Sequence, residues 1–484
     1  MSIAGSLSSA LSGLNANARA AEIVASNIAN ALTEGYGRRE LVVTSRQMGG
    51  AGQGVTVVGV YRHTDQALLG DRRQADSVAG NRGVMSEFLS RLERILGTPG
   101  EEQSLDGRIA AFDTALIEAS SRPESESRLS RLADTVRALT AHLADVSSDI
   151  QSARTTADDR IERDVGKLNT ALVRVGELNG LIRANTGTGR DSSALMDQRQ
   201  QIIDSISHVI PIREIARDGG QVALVTAGGA TLVDGPVSQF GFSPVGQIVA
   251  GMTQGTGALS GLTLNGKALA LGDQGPVAGG TLAANFALRD ELAPQAQAQL
   301  DAVARDLIER FQNPALDATR PPGAPGLFTD NGAAFDAANE AGLSQRLSLN
   351  AAVDPEKGGA LWRLRDGLGA TMPGAVGDAR LLNALQSALT SLRDPASAAF
   401  MPGQRSLATL AADLLSGVAA DRLTAEGEAS YSGARADSLR SMEMQGGVDT
   451  DREVQTLLQI EKNYAANAKV VQTVDQMIKL LLGM

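Results

Sequence analysis

"ESESRLSRLADTVRALTAHLADVSSDIQSARTTADDRIERDV" (residues 124–165) contains neither glycine nor proline. Leu132, Val136, Leu139, Leu143, Val146, Ile150, Ala153 and Ala157 recur at steps of three and four, the spacing that lines one face of an α-helix. Ile161, Val165, Leu168, Leu172 and Val175 continue the row. The two consecutive steps of four at Ile161 and Val165 are a slip that locally unwinds a supercoil. Ser121 with Glu124 reads as a capping box, with Pro123 in the first turn. The pattern predicts one helix over residues 124–183, roughly 90 Å long at 1.5 Å per residue. A rod of that length suits a spacer or a packed column better than a catalytic globule.

The texture changes after Pro211. Short apolar runs such as "QVALV" and "GLTLNGKALAL" lie between closely spaced glycines up to Gly280. That is strand-and-turn composition, and Asn265-Gly266 is a hairpin signal. Helical spacing returns with Leu300, Val303, Leu307 and Phe311, and again in "DARLLNALQSALTSLR" and over residues 406–439. The expected fold is mainly α, elongated and nested, with terminal coiled-coil helices, a long-helix rod domain and a small β-rich insert. The expected division is a terminal domain of residues 1–70 and 441–484, a helical rod domain of 71–210 and 286–440, and an insert of 211–285.

The two ends resemble each other. Near the C-terminus Leu457, Ile460, Tyr464, Asn467, Val471, Val474, Ile478 and Leu481 form a heptad seam with one polar member. Gly446-Gly447 breaks the preceding helix, and Thr450 with Glu453 reads as the capping box. At the N-terminus Ala4, Leu7, Leu11, Leu14, Ala18, Ala21, Ala25, Ile28 and Leu32 repeat the same alternation. Each helix alone is marginal in water, so the two are natural partners. Leu458, Ala465, Ala468 and Leu482 add a second apolar row, and a helix apolar on two rows usually has more than one neighbour. Leu7, Leu11, Leu14 and Ile28, with the eight seam residues, are therefore expected to carry packing between subunits. Asn467 is expected to fix register, and the terminal helices to order fully only on assembly.

The totals exclude several functions. The 484 residues carry 44 Lys plus Arg against 55 Asp plus Glu, a net charge of −11. That balance argues against nucleic acid and anionic lipid as partners. Aromatic residues make up 3% and cysteine is absent, so no thiolate metal site or cysteine nucleophile exists. No apolar run is long enough to span a membrane, and the first basic residue is Arg19, so no secretory signal is expected. His63, His142 and His208 lack ligand spacing, and His142 reads as a helix-surface residue. Asp158-Asp159 reads as the solvated face of the rod. "GLTLNGKA" (residues 261–268) nearly matches a phosphate-binding loop. Ala268 replaces the hydroxyl, and Asn265-Gly266 makes a hairpin of what should run into a helix. No catalytic, cofactor or metal site is expected; a nucleotide-binding enzyme is the remote alternative.

"SNIANALTEGYGRRE" (residues 26–40) is more specific than a heptad. Asn30, Thr33, Gly35 and Tyr36 fit the N-x-x-T-x-G-Y turn that closes the first helix of bacterial flagellar rod, hook and hook-associated proteins. "NYAANAKVVQTVDQMIKLLL" resembles the closing helix of the same family. "SALMDQRQQIIDSISHVIPI" and "RDELAPQAQAQLDAVARDLI" resemble its FlgK-type junction branch. The resemblance implies a structural subunit in a ring of copies between hook and filament, touching the hook protein and a second junction protein. It implies an export chaperone on the C-terminal helix and passage to the cell exterior without a cleaved signal. A hook or rod subunit is the nearer alternative.

Overall fold

The computed structural model describes residues 3–48, 51–272 and 275–483. Helix α1 (Ile3–Ala29) leads into a hairpin of β1 (Arg38–Met48) and β2 (Ala51–His63). Three helices follow, α2 (Gln66–Leu96), α3 (Leu105–Ser121) and α4 (Glu126–Gly187), and then α5 (Ser193–Ser207). The rod helix α4 is 62 residues long, about 93 Å at 1.5 Å per residue. Its cap lies four residues later than the sequence suggests. Ser121 ends α3, its hydroxyl donating to the Glu118 carbonyl at 2.9 Å, and Ser125 is the N-cap of α4.

The insert holds two small antiparallel sheets. One joins β3 (Ile212–Ala216), β4 (Val222–Thr226) and β5 (Thr231–Val233); the other joins β6 (Phe240–Gly241), β7 (Thr263–Leu264) and β8 (Lys267–Ala268). Asn265 and Gly266 take φ of 51° and 77° between β7 and β8, the left-handed pair of a tight hairpin turn. Residues 261–268 thus turn back as strands instead of opening a helix over a phosphate.

Helices α6 (Gly280–Ala287) and α7 (Ala293–Gln312) are joined by a π-turn over Leu288–Leu292. Then come β9 (Phe328–Asp330), α8 (Leu343–Arg346), β10 (Leu347–Leu349), α9 (Arg363–Asp366) and α10 (Arg380–Thr390). The chain closes with α11 (Leu407–Gln445), which runs beside α2, and α12 (Thr450–Leu482), which runs beside α1.

Helix α4 serves two cores. Its first half, from Leu129 to Ala157, packs with α2, α3, α7, α10 and α11; its second half, from Ile161 to Val175, packs with α5, α6 and the insert. Two asparagines of α4 clamp strands through their amides. Asn169 donates to the Phe240 carbonyl at 2.9 Å and accepts from its amide at 2.8 Å, and Asn179 does the same for Val222 at 2.8 and 3.2 Å. A Cβ at Gly176 would lie 2.7 Å from Val237, so the insert sits directly on the helix backbone there.

Asp158 is fully buried, contrary to the solvated-face reading, while Asp159 remains exposed. The Arg289 guanidinium, also fully buried, donates to Asp158 Oδ1 at 2.6 Å, Asp290 Oδ2 at 2.8 Å and the Ser260 carbonyl at 2.9 Å. It lies 4.9 Å from the Phe286 ring centre and 5.5 Å from that of Phe242. Arg154 adds bonds to the carbonyls of Arg289 and Met252 at 2.9 and 2.6 Å. Sequence spacing alone could not show that an arginine 131 positions away, in the π-turn between α6 and α7, would pair with Asp158.

His142 is buried, not on the helix surface. Burial, helped by Arg108, holds its pKa below the ordinary 6.5. The unfolded chain therefore takes up the proton first, and the contribution to stability is lost as pH falls below that value. Urea denaturation at pH 7.5 and 5.5 should show weaker stability at the lower pH, with a smaller loss in His142→Leu.

Candidate functional site: the terminal helix pair and its clasp

Helix α1 carries three different rows. Ala10, Val24 and Asn27 are buried, and Gly13 falls on the same row. Gly13 meets Asn467, since a Cβ there would be 2.7 Å from Nδ2, and Asn27 donates to Glu453 Oε2 at 3.0 Å. These two contacts are fourteen residues apart on each helix, so α1 and α12 run antiparallel along a small-residue row. Small residues let helix backbones approach closely. A second side of α1 rests on the hairpin, where Ser12 accepts from the Val55 amide at 3.1 Å. Gly54 there, at φ 91°, lies so near that a Cβ would fall 2.9 Å from the Ser9 Cα.

The leucine row lies elsewhere. Leu7, Leu11, Leu14 and Ile28 each sit one position after the row that meets α12, which is about 100° around the helix. Leu11 is 47% exposed, and Leu7, Leu14 and Ile28 are half-buried; Leu32, 99% exposed, lies in the turn beyond α1, which ends at Ala29, so the helical row stops short of it. On α12 the seam is partly covered. Val474 is buried, Leu457, Ile460, Asn467, Val471 and Ile478 are half-buried, and Tyr464 and Leu481 are exposed. Of the second row, Leu458, Ala465 and Leu482 are exposed and Ala468 is half-buried. Val470, Met477 and Leu480 are exposed as well. The pair therefore keeps apolar rows facing outward on both helices.

The turn that follows α1 is a polar clasp. Asn27, 0% exposed, is its centre. Its Oδ1 accepts from the Tyr36 hydroxyl at 2.9 Å and the Arg39 amide at 3.0 Å, and its Nδ2 donates to the Arg39 carbonyl at 2.9 Å as well as to Glu453. Glu453, nearly fully buried, also accepts from Arg38 Nε at 2.7 Å. The N-cap of α12 is Asp449, accepting from the amides of Asp451 and Arg452; Glu453 reaches to Asn27 and Arg38, not back to Thr450. Asn30 donates to the Ser26 carbonyl at 2.9 Å and accepts from Thr33 at 3.4 Å. Gly35 has φ 76°, and a Cβ on it would lie 2.8 Å from Gln201, so glycine is the residue that fits.

Asp197 of α5 ties this turn and the hairpin to the helical body. It accepts from the Gly37 amide at 3.0 Å and from Arg62 Nε at 2.6 Å, and pairs with Arg39, whose guanidinium lies 4.9 Å over the Tyr36 ring. Gln201 donates to the Glu34 carbonyl at 2.9 Å. Asp197→Ala should leave two nearly buried arginines without their carboxylate, weakening this docking by about 3 kcal/mol. Limited proteolysis should then cut faster at residues 64–65 and 446–447, the two connections to the body, with its melting temperature little changed. Unchanged cleavage would show that Asp197 does not hold the joint.

Asn27, Arg38, Arg39, Arg62 and Asp197 escaped the sequence reading, and Glu453 was read only as a capping residue. The one local trace is Asn27, which shares its row with Asn17 among mostly small apolar residues. The hairpin was passed over too, although "VTVVGVYRH" has strand composition. Among the described residues no group of three or more His, Cys, Asp or Glu is placed to hold a metal, and no helix is long and apolar enough to cross a membrane.

Residues 89–318 match the family described as flagellar hook-associated protein FlgK helical domain. Residues 7–36 match flagella basal body rod protein, and residues 445–484 match flagellar basal body rod FlgEFG protein, C-terminal. Flagellar hook-associated protein 1 of Salmonella typhimurium is 27% identical over 237 residues, 48% of this chain and 42% of that protein. The Escherichia coli protein of that name is 25% identical over 240 residues, 48% of this chain and 44% of its own length. The Bacillus subtilis protein is also 25% identical, covering 47% of each chain. The chain thus spans less than half the length of the curated relatives it matches. The solved flagellar hook junction protein FlgK from Burkholderia pseudomallei aligns with TM-score 0.45 and 19% identity over 54% of this chain and 47% of that one.

Proposed function

We propose that this chain, which carries a FlgK-type helical domain between flagellar rod-family termini, is a structural subunit of the bacterial flagellum at the junction of hook and filament. The observation that carries the reading is the open leucine row of α1 beside the partly covered α12. The two helices already pair, yet apolar rows on both still face outward, as expected of a surface completed by neighbouring subunits. Copies of the chain form a ring, with the hook protein on one side and a second junction protein on the other. The site of action is outside the cell, reached without a cleaved signal, and a chaperone covers the exposed end of α12 before export.

In this reading residues 1–70 and 441–484 form the assembly module, 71–210 and 286–440 the helical body, and 211–285 the insert. Leu7, Leu11, Leu14 and Ile28, with the α12 seam from Leu457 to Leu481, pack between subunits. Asn30, Thr33, Gly35 and Tyr36 shape the turn that sets the module on the body. A hook or rod subunit is the second reading, favoured by the two terminal matches; the helical-domain match over 89–318 weighs against it. Deleting the gene tests both. Electron micrographs should show intact hooks without filaments, restored by the full chain. Loss of the hooks themselves would contradict the junction reading.

A further inference from the structure

The rod helix carries one buried row that is polar. Ser147, Gln151, Arg154 and Asp158 of α4 stand at steps of four, three and four, between the apolar Leu143 and Ile161 of the same row, and all four are buried. Against them lie Gln297 and Asp301 of α7, also buried, and Arg289 of the π-turn. Gln297 Oε1 accepts from the Ser147 hydroxyl at 3.0 Å and from Gln151 Nε2 at 2.9 Å. Gln297 Nε2 donates to Asp301 Oδ1 and to the Ser344 hydroxyl, both at 2.9 Å. Gln151 Oε1 accepts from Arg154 Nη1 at 2.9 Å. Arg154 and Asp158 in turn hold the carbonyl and the guanidinium of Arg289. The line continues into neighbouring loops. Asp158 accepts from the Val245 amide at 2.6 Å, and Asp301 accepts from the Gly342 and Ser344 amides at 2.7 and 2.9 Å. Among the described residues, none of these buried side-chain atoms lacks a hydrogen-bond partner.

Apolar packing alone does not choose a height for α7 on α4. The apolar row of α4 repeats from Leu129 to Val175, and α7 answers it with Leu300, Val303, Leu307 and Phe311. A slide by one turn, about 5.4 Å, would set one repeat against the next. The polar row occurs once. The same slide would strand its amides and charges without partners in the interior, which is costly. A single polar position fixes register in coiled coils for this reason.

The π-turn completes the match. In an unbroken α-helix Arg289 and Gln297, eight positions apart, would point about 80° away from each other. The π-turn over Leu288–Leu292 takes up one extra residue, as such turns do. The offset falls to that of seven positions, about 20°, so both side chains face α4. We propose that the polar row and the π-turn together form a register key, which holds α7 and the seat of the insert at one height on the rod helix. The key acts whether the chain sits at the hook–filament junction or elsewhere in the flagellum, and the isolated chain suffices to test it.

Deleting one residue from a packed helix turns everything beyond it by about 100°. Deleting Glu291, exposed within the π-turn, should instead leave an ordinary α-helix with Arg289 and Gln297 still in line, and the melting temperature should stay at the parent's. Deleting Ala298, equally exposed but placed between Gln297 and Asp301, should break the line and lower the melting temperature steeply or prevent folding. Equal damage from both deletions would overturn the role of the π-turn, and so would a harmless deletion of Ala298. The polar row has its own test. The chain contains no cysteine, so Ser152→Cys on α4 and Gln295→Cys on α7, both at exposed positions, place one spin label on each helix without background. The labelled parent should give one narrow distance. Adding Ser147→Ala, Gln151→Met and Gln297→Met should keep the melting temperature, because the apolar replacements need no partners, yet add a second distance differing by up to about 5 Å. Ser147→Ala with Gln151→Met, the gentler change, should show the same second distance at lower abundance and carries the test should the triple variant not fold. One narrow distance throughout, with or without lost stability, would show that the row sets no register and overturn the key.

Discussion

Leu11→Glu with Leu14→Glu should abolish filament attachment while leaving the isolated chain folded. Leu11 is exposed and Leu14 half-buried on the row turned away from α12. At an exposed position such as Leu11 a substitution usually changes monomer stability by no more than about 0.5 kcal/mol. At an interface between subunits the balance reverses. Burying a leucine contributes about 1.5–3 kcal/mol, and a buried unpaired carboxylate costs more than the leucine contributed. The pair should therefore weaken each contact by more than about 4 kcal/mol, close to a thousandfold. Circular dichroism and melting of the purified variant should match the parent, while cells make hooks without filaments and shed the chain into the medium. Normal filaments on the variant would mean that the leucine row faces solvent in the assembly too.

Asp158→Ala should destabilise the body by about 3–5 kcal/mol, the usual cost of leaving one member of a buried ion pair alone. Arg289 would keep Asp290 and the Ser260 carbonyl but lose its closest carboxylate, and the Val245 amide would lose its acceptor, now at 2.6 Å. The seat of the insert on α4 should loosen first. Hydrogen exchange should rise over residues 243–262 before the helical core responds. Asp158→Leu with Arg289→Met should recover most of the stability, because removing both charges also removes the desolvation cost. Equal losses in the single and double variants would show that the pair contributes packing alone.

The long helix was legible because its period extends over so many turns that no local exception could hide it. Helix starts were not: Ser121 and Thr450 both look like caps, yet Ser125 caps α4 and Asp449 caps α12. The terminal pairing was legible in kind but not in phase. Apolar spacing selects the row with the largest side chains, Leu7, Leu11 and Leu14. The two helices instead meet along the row of Ala10, Gly13 and Val24, where Asn467 can sit against a missing side chain. The clasp was illegible for another reason. Asn27 and Glu453 are 426 positions apart, and Arg39 and Asp197 are 158 apart, so no local pattern connects them. Asp158 misled in the same way, since its partner arrives from the far side of the insert.

Amide hydrogen exchange on the isolated full chain, compared with the chain in intact flagella, tests the incompleteness of the terminal pair most directly. The expected result is rapid exchange over residues 3–32 and 450–482 in the isolated chain, beside strong protection of residues 126–187, and slow exchange at both ends after assembly. Equal protection of the ends and the rod helix in the isolated chain would contradict the account, because a pair already that stable needs no neighbour to complete it.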